Sequence, residues 1–202
     1  MIHLHKNDLP SGVSLGNLVA IDTETMGLNP ARDRLCLAQL CGGGGEVHIV
    51  QFEPGAYAAP NLKAMLVNPN VTKLFHFARF DIAVMMAYLG VMAGPLYCTK
   101  IASRLTRTFT DRHGLKDLAR DLLGIELSKQ QQTSDWGSSQ LTPEQLDYAA
   151  ADVLHLHAIK AKLDELLRRE KRVELAEACF SFLPVRVALD LAGWADIDIF
   201  AH

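Results

Sequence analysis

Asp22 and Glu24 stand two positions apart in Ile21-Asp22-Thr23-Glu24-Thr25, directly after the apolar run Leu18-Val19-Ala20. Such a run reads as a buried strand. Alternation along a strand sends both carboxylates to one face at its end. Paired carboxylates repel and are costly to dehydrate, and they are tolerated best with a cation between them. The same residues could form a solvated acidic turn, with Thr23 or Thr25 capping a neighbour. The pair alone does not separate these readings. Asp81 follows a strand-like stretch over 71–75, in His76-Phe77-Ala78-Arg79-Phe80-Asp81. In Tyr148-Ala149-Ala150-Ala151-Asp152 the spacing places a phenol and a carboxylate on one helical face, about a turn apart.

In this order, Asp22-x-Glu24, Asp81 and Tyr148-x-x-x-Asp152 resemble the DEDDy group of 3′-to-5′ exonucleases, and within it ribonuclease D and its small relatives. Ser134-Asp135-Trp136, Leu141-Thr142 and the run from Gln145 through Tyr148 and Asp152 to Val153 carry the likeness furthest. The resemblance implies a hydrolase that cuts phosphodiesters with two divalent cations, Mg²⁺ or Mn²⁺. Cutting such a bond needs an activated water and a stabilised 3′-oxygen, which two ions about 3.5–4 Å apart supply together. Both metals are hard and prefer carboxylate oxygens, and the set contains no thiol or imidazole. On the same resemblance, Asp22 bridges the ions, Glu24 and Asp152 complete one site, and Asp81 helps the second through water. Tyr148 orients or deprotonates the attacking water, for which a pKa below the free phenol value is expected.

Substrate contacts are softer. Short-oligonucleotide members of the family place an apolar residue after the first motif as a wedge between terminal bases. Leu28 matches it, with Met26 nearby and Thr23 between the carboxylates; a turn leucine plugging the core is the plainer reading. His76 and Phe77 could meet sugar and base, since aromatics stack on bases of any sequence, or could be core residues. Arg79, Lys129 and Gln132 are candidate phosphate contacts or solvated surface.

The elements that must hold these residues follow from periodicity and punctuation. Strands are expected over 18–25, 35–40, 47–52, 71–75 and 96–98, the second and third joined as a hairpin by Gly42 to Gly45. That glycine run opens no helix and precedes no Lys-Ser/Thr, so it is no phosphate loop. Helices are expected over 61–67, 82–89, 99–105, 113–124, 142–168 and 174–182, with Thr142 as N-cap, Pro143 first and Gln145 closing a capping box. Three strands followed by strand-helix alternation indicate a mixed central sheet with flanking helices. The resemblance implies the α/β ribonuclease H-like exonuclease fold.

The 202 residues, 49% hydrophobic and 21% charged, suit one soluble domain over 1–202. No run reaches a membrane span. The polar N-terminus lacks a signal-peptide core, and four cysteines without CxxC spacing read as reduced thiols, so a cytoplasmic location is expected. A net charge of −3 argues against bulk electrostatic grip on a long duplex, with one local basic stretch between Lys100 and Arg120. The chain stops at His202, short of the helical domains that continue ribonuclease D, and so resembles the small nano-RNase C branch. That likeness implies short single-stranded RNA as substrate, down to dinucleotides, with nucleoside 5′-monophosphates as products. It also implies a homo-oligomer of the octameric ring kind, with the apolar stretch 180–202 available for subunit contacts or for the protomer's own core. A DNA exonuclease for proofreading or repair, a ribonuclease D-type 3′-end trimming enzyme and a non-catalytic binding scaffold remain alternatives. In one departure, Cys98-Thr99 replaces the Asp-Thr usual after the fifth strand, a position outside the metal carboxylates.

Overall fold

The computed structural model describes residues 1–128 and 130–201. Its centre is a mixed six-stranded sheet in the order β1-β4-β3-β2-β5-β6. The strands are β1 (Ile2–Lys6), β2 (Leu18–Thr25), β3 (Leu35–Cys41), β4 (Val47–Gln51), β5 (Thr72–Phe75) and β6 (Leu96–Cys98). The hairpin expected from the glycine run is the antiparallel pair β3–β4. β2 is antiparallel to β3 and parallel to β5. Every residue of β3 is buried, because helices cover both faces of the sheet. β1 escapes sequence reading: Ile2-His3-Leu4-His5 alternates over only four residues at the polar N-terminus, and it is an edge strand paired only with β4 among the described residues.

The helices are α1 (Pro60–Val67), α2 (Ala78–Leu89), α3 (Thr99–Thr106), α4 (Leu115–Leu118), α5 (Pro143–Leu154), α6 (Leu156–Arg169) and α7 (Val173–Leu189). α4 runs on into a π turn over Ala119–Leu123, which stops at Gly124 in the left-handed region. Two expectations need correction. The single helix over 142–168 is two, broken at His155 (φ −99°, ψ −4°). No glycine or proline marks the break. It lets α5 lie on β2, β3 and β4 while α6 turns to pack on α3. The short helix over 174–182 instead runs through Pro184 to Leu189, because burial of Phe180, Leu183 and Val187 outweighs the amide hydrogen bond that proline forfeits.

No helix among the described residues is long and apolar enough to cross a membrane. The four cysteines are free, three of them buried.

Candidate active site

β2 ends beneath a cleft of about 630 Å³, and the carboxylates collect at its floor. Asp22 and Glu24 project from β2, and Asp152 comes down from the last turn of α5. One oxygen of each lies within 4.8 Å of the others. Alternation turns Thr23 away from its two neighbours. Its hydroxyl donates to Asp81 Oδ1 at 2.7 Å, tying the first turn of α2 to the end of β2. Asp81 is buried beside the trio, with one oxygen thus engaged.

α5 owes its position to a local device. Gln145 N–H donates to Thr142 Oγ1 at 3.2 Å, and Thr142 N–H donates to Gln145 Oε1 at 2.9 Å. The Gln145 amide also donates to Ser134 Oγ (2.7 Å) and to the Asp135 carbonyl (3.1 Å). One side chain therefore caps the helix and anchors the loop that carries Trp136. The Trp136 ring, 2% exposed, packs 5.9 Å from the Tyr148 ring and fixes its lean over the cleft.

Burial and mutual repulsion hold protons on these groups in the protein alone. Burial raises Asp22 well above the usual carboxylate range, helped by Asp81, Asp152 and Glu24. Glu24 is pushed up to about 9 by burial, then by Asp152 and Asp81. Burial raises Asp152 to about 7, against a lowering hydrogen bond from Tyr148. Asp81 is raised to about 7, also chiefly by burial, although the Thr23 hydroxyl bond works the other way. Three half-buried carboxylates held this close, with the buried Asp81 beside them, fit hard cations, which would relieve both the repulsion and the dehydration. The lowering expected for Tyr148 belongs to a metal-bound site, and in the protein alone the direction is upward. Burial and the nearby Asp152, Glu24 and Asp22 push its pKa far upward, because a phenolate would be a further negative charge among carboxylates. In the metal-free protein the Tyr148 hydroxyl therefore keeps its proton.

The cleft wall contains Thr23, Met26, Leu28, His76, Phe77 and Gln132 from the expected substrate contacts. Leu28 is 87% exposed, so it plugs no core in this chain. In the turn that presents it, a Cβ at Gly27 would meet Asp33 Oδ2 at 2.3 Å, so the Asp33 side chain would have to shift. Phe77 caps α2 from the left-handed region (φ 66°), 45% exposed, with Lys100 Nζ 4.0 Å from its ring centre. A bulky residue in that conformation is strained. Burial, and secondarily Lys100, lowers the His76 pKa to about 3. The Thr99 hydroxyl donates to the Phe75 carbonyl at 3.2 Å, so the 2.9 Å contact with His76 Nδ1 takes its proton from the imidazole. His76 is therefore neutral, with the Nε2 lone pair free to accept.

Arg79 is not brought to the cleft. Its guanidinium grips Asp190 in two hydrogen bonds, 2.5 and 2.8 Å long, at the end of α7. Lys129 lies outside the described residues. The basic stretch divides: Arg107 and Arg120 pair with Asp121, while Lys100 and Lys116 line the cleft. Sequence reading had these two lysines only within a basic stretch that could equally be a solvated helix face, and had used Trp136 only as a motif letter. It also missed Gln39, fully buried on β3 directly opposite Asp22, with no hydrogen-bond partner among the described residues. A lone polar residue in an otherwise apolar strand was the available signal.

A strand-end carboxylate cluster on this sheet, completed by a helical tyrosine and aspartate, defines the class: the chain belongs to the 3′-5′ exonuclease family, which residues 7–168 match. Among individual proteins it is similar over its whole length to NrnC of Brucella melitensis. The structures of that protein bound to pGG and with bound Mg²⁺ are 53% and 52% identical to it, each at TM-score 0.96 over 100% of this chain and 98% of that one. Ribonuclease D of Gluconacetobacter diazotrophicus is 36% identical over 156 residues, 77% of this chain and 39% of that protein. The chain thus spans less than half the length of that curated relative. Escherichia coli RNase D, described as an exoribonuclease involved in structured RNA processing, is 26% identical with a TM-score of 0.74, over 90% of this chain and 48% of that one. The sheet and its flanking helices are accordingly of the ribonuclease H-like class.

Proposed function

We propose that this protein is a metal-dependent 3′-5′ exoribonuclease that removes nucleoside 5′-monophosphates from short RNA, down to dinucleotides. The observation that carries the reading is the convergence of Asp22, Glu24 and Asp152 oxygens within 4.8 Å, with Asp81 and Tyr148 alongside. Two divalent cations held there would supply an activated water and stabilise the departing 3′-oxygen. Asp22, Glu24 and Asp152 would hold them, and Asp81, fixed by Thr23, would complete the set. The Tyr148 hydroxyl, held by Trp136, donates towards the scissile region and orients the nucleophile. Met26 and Leu28 offer an apolar edge to the terminal bases, and Phe77 a face for stacking. His76 Nε2 can accept from a sugar hydroxyl, and Lys100 and Lys116 can meet phosphate.

Similarity to a protein whose structure holds pGG supports the short-substrate reading. So does the net charge of −3, since grip on long strands grows with the number of Lys/Arg–phosphate contacts. The test is turnover of labelled RNA and DNA strands of two, seven and twenty nucleotides with Mg²⁺ or Mn²⁺. Fastest turnover of the dinucleotide RNA is expected. Equal or faster turnover of DNA, or no turnover of any strand, would overturn the proposal.

A further inference from the structure

We propose a second metal site, of the zinc type, on the opposite face and at the far edge of the sheet, formed by His3, Glu46 and His48. The parallel pairing of β1 with β4 sets His3 beside His48, and Glu46 immediately precedes β4. One donor atom of each of the three residues lies within 4.8 Å of the others. Three imidazoles stack here: His3 and His48 have ring centres 4.8 Å apart at 21°, and His5 and His48 5.2 Å apart at 15°. His5 Nε2 lies 3.0 Å from His48 Nδ1. With His48 Nδ1–H donating in that contact, His48 Nε2 is left to ligate, and the ring orientation is held as outer partners hold metal-binding histidines.

His3 supplies an independent observation. Its Nε2 is buried with no hydrogen-bond partner among the described residues, and Glu46 Oε2 stands 4.0 Å away. A cation between them would satisfy this ring nitrogen together with the carboxylate and the second imidazole. Ligands of tetrahedral zinc at about 2.0–2.2 Å sit roughly 3.3 Å from one another. The exposed Glu46 side chain can swing in to close that gap. Two imidazoles and one carboxylate select zinc or its neighbours over magnesium, which the all-oxygen cluster favours.

The two sites are distinct. β1 lies three strand spacings from β2, about 14 Å. His48 pairs with Leu40 and Leu40 with Ile21, so the histidines share the face of Ile21 rather than that of Asp22. The proposed role is a staple, joining the edge strand β1 to the β3–β4 hairpin.

The experiment uses tag-free protein carrying Asp22→Asn to weaken the catalytic cluster, stripped of metal and held in excess Mg²⁺. Zn²⁺ is titrated by calorimetry, and Co²⁺ by its visible absorption. One equivalent of each is expected, with intense tetrahedral Co²⁺ bands and a raised thermal midpoint. His48→Gln should abolish all three signals. Glu46→Gln, at an exposed position that cannot endanger folding, should weaken binding on the order of tenfold or more. Absence of a Zn²⁺ equivalent in excess Mg²⁺ would overturn the site, as would binding unchanged by both substitutions.

Discussion

Asp22 has like-charged neighbours in Asp81, Asp152 and Glu24 at once, which makes it the group most dependent on a cation. Asp22→Asn is expected to lower turnover roughly 10²-fold or more, since metal stabilisation of the transition state amounts to several kcal/mol. The metal-free variant should melt no lower than wild type, because it relieves repulsion; scanning calorimetry alongside kinetics checks both. Tyr148→Phe should cost on the order of 10²–10⁴ in kcat, with cation affinity and melting temperature nearly unchanged. Wild-type turnover in that variant would assign Tyr148 to packing against Trp136 alone. The raised pKa values give a third expectation, for chelator-stripped protein. Between the unfolded carboxylate range near 4 and the folded values of about 7 to 9, the native state holds protons that the unfolded chain has released. Stability contributed by these groups is therefore full below about pH 4 and is lost as pH rises through the folded values. The stripped protein should gain more in melting temperature from Mg²⁺ at pH 8 than at pH 6, and an equal gain would contradict the electrostatic account.

α5 is the element on which both halves of the helical motif depend. Its capping box was legible in Thr142-Pro143-Glu144-Gln145, because a cap is a local contact. The second task of Gln145, holding Ser134 and Asp135, was not legible, because that loop meets the helix only in the fold. Gln145→Ala should cost about 1–2 kcal/mol for the lost cap and anchor. It should also reduce kcat by freeing Trp136 and with it Tyr148. Urea unfolding and single-turnover rates would separate a pure stability loss from mispositioning. The break at His155 and the continuation of α7 through Pro184 were invisible for a related reason. Each is decided by what the helix packs against, α3 for one and α2 for the other.

Across the whole molecule, the C-terminal stretch is divided. Phe180, Leu183 and Val187 close the core, while Phe182, Val185, Trp194, Ile197, Ile199 and Phe200 remain exposed. Asp190, gripped by both Arg79 and Arg186, pins the turn that carries the last of these. So many exposed apolar groups on one segment are expected to meet other copies of this chain. Light scattering should give a mass of several protomers, and the pair Phe182→Asp and Phe200→Asp should lower it. In such an assembly, neighbours would narrow access to the cleft. kcat/KM should then fall from two to twenty nucleotides in the assembled protein. A monomer whose kcat/KM rises with length would instead favour ordinary 3′-end trimming.

Local chemistry was settled by the order of residues. Spacing by two on a strand and by four on a helix fixed which side chains share a face, so Asp22 with Glu24, and Tyr148 with Asp152, could be read directly. Glycine runs, Pro143 and Gly90 marked turns and ends for the same short-range reasons. Only the tertiary structure brought Asp152 to Asp22 across a separation of 130 positions, turned Arg79 away to Asp190, and set His3 against His48. It alone also gave the direction of the Tyr148 shift, since burial and the field of distant carboxylates belong to the folded chain. Strand register, helix packing and buried charge are properties of contacts between segments far apart in sequence. No local pattern records which segments those will be.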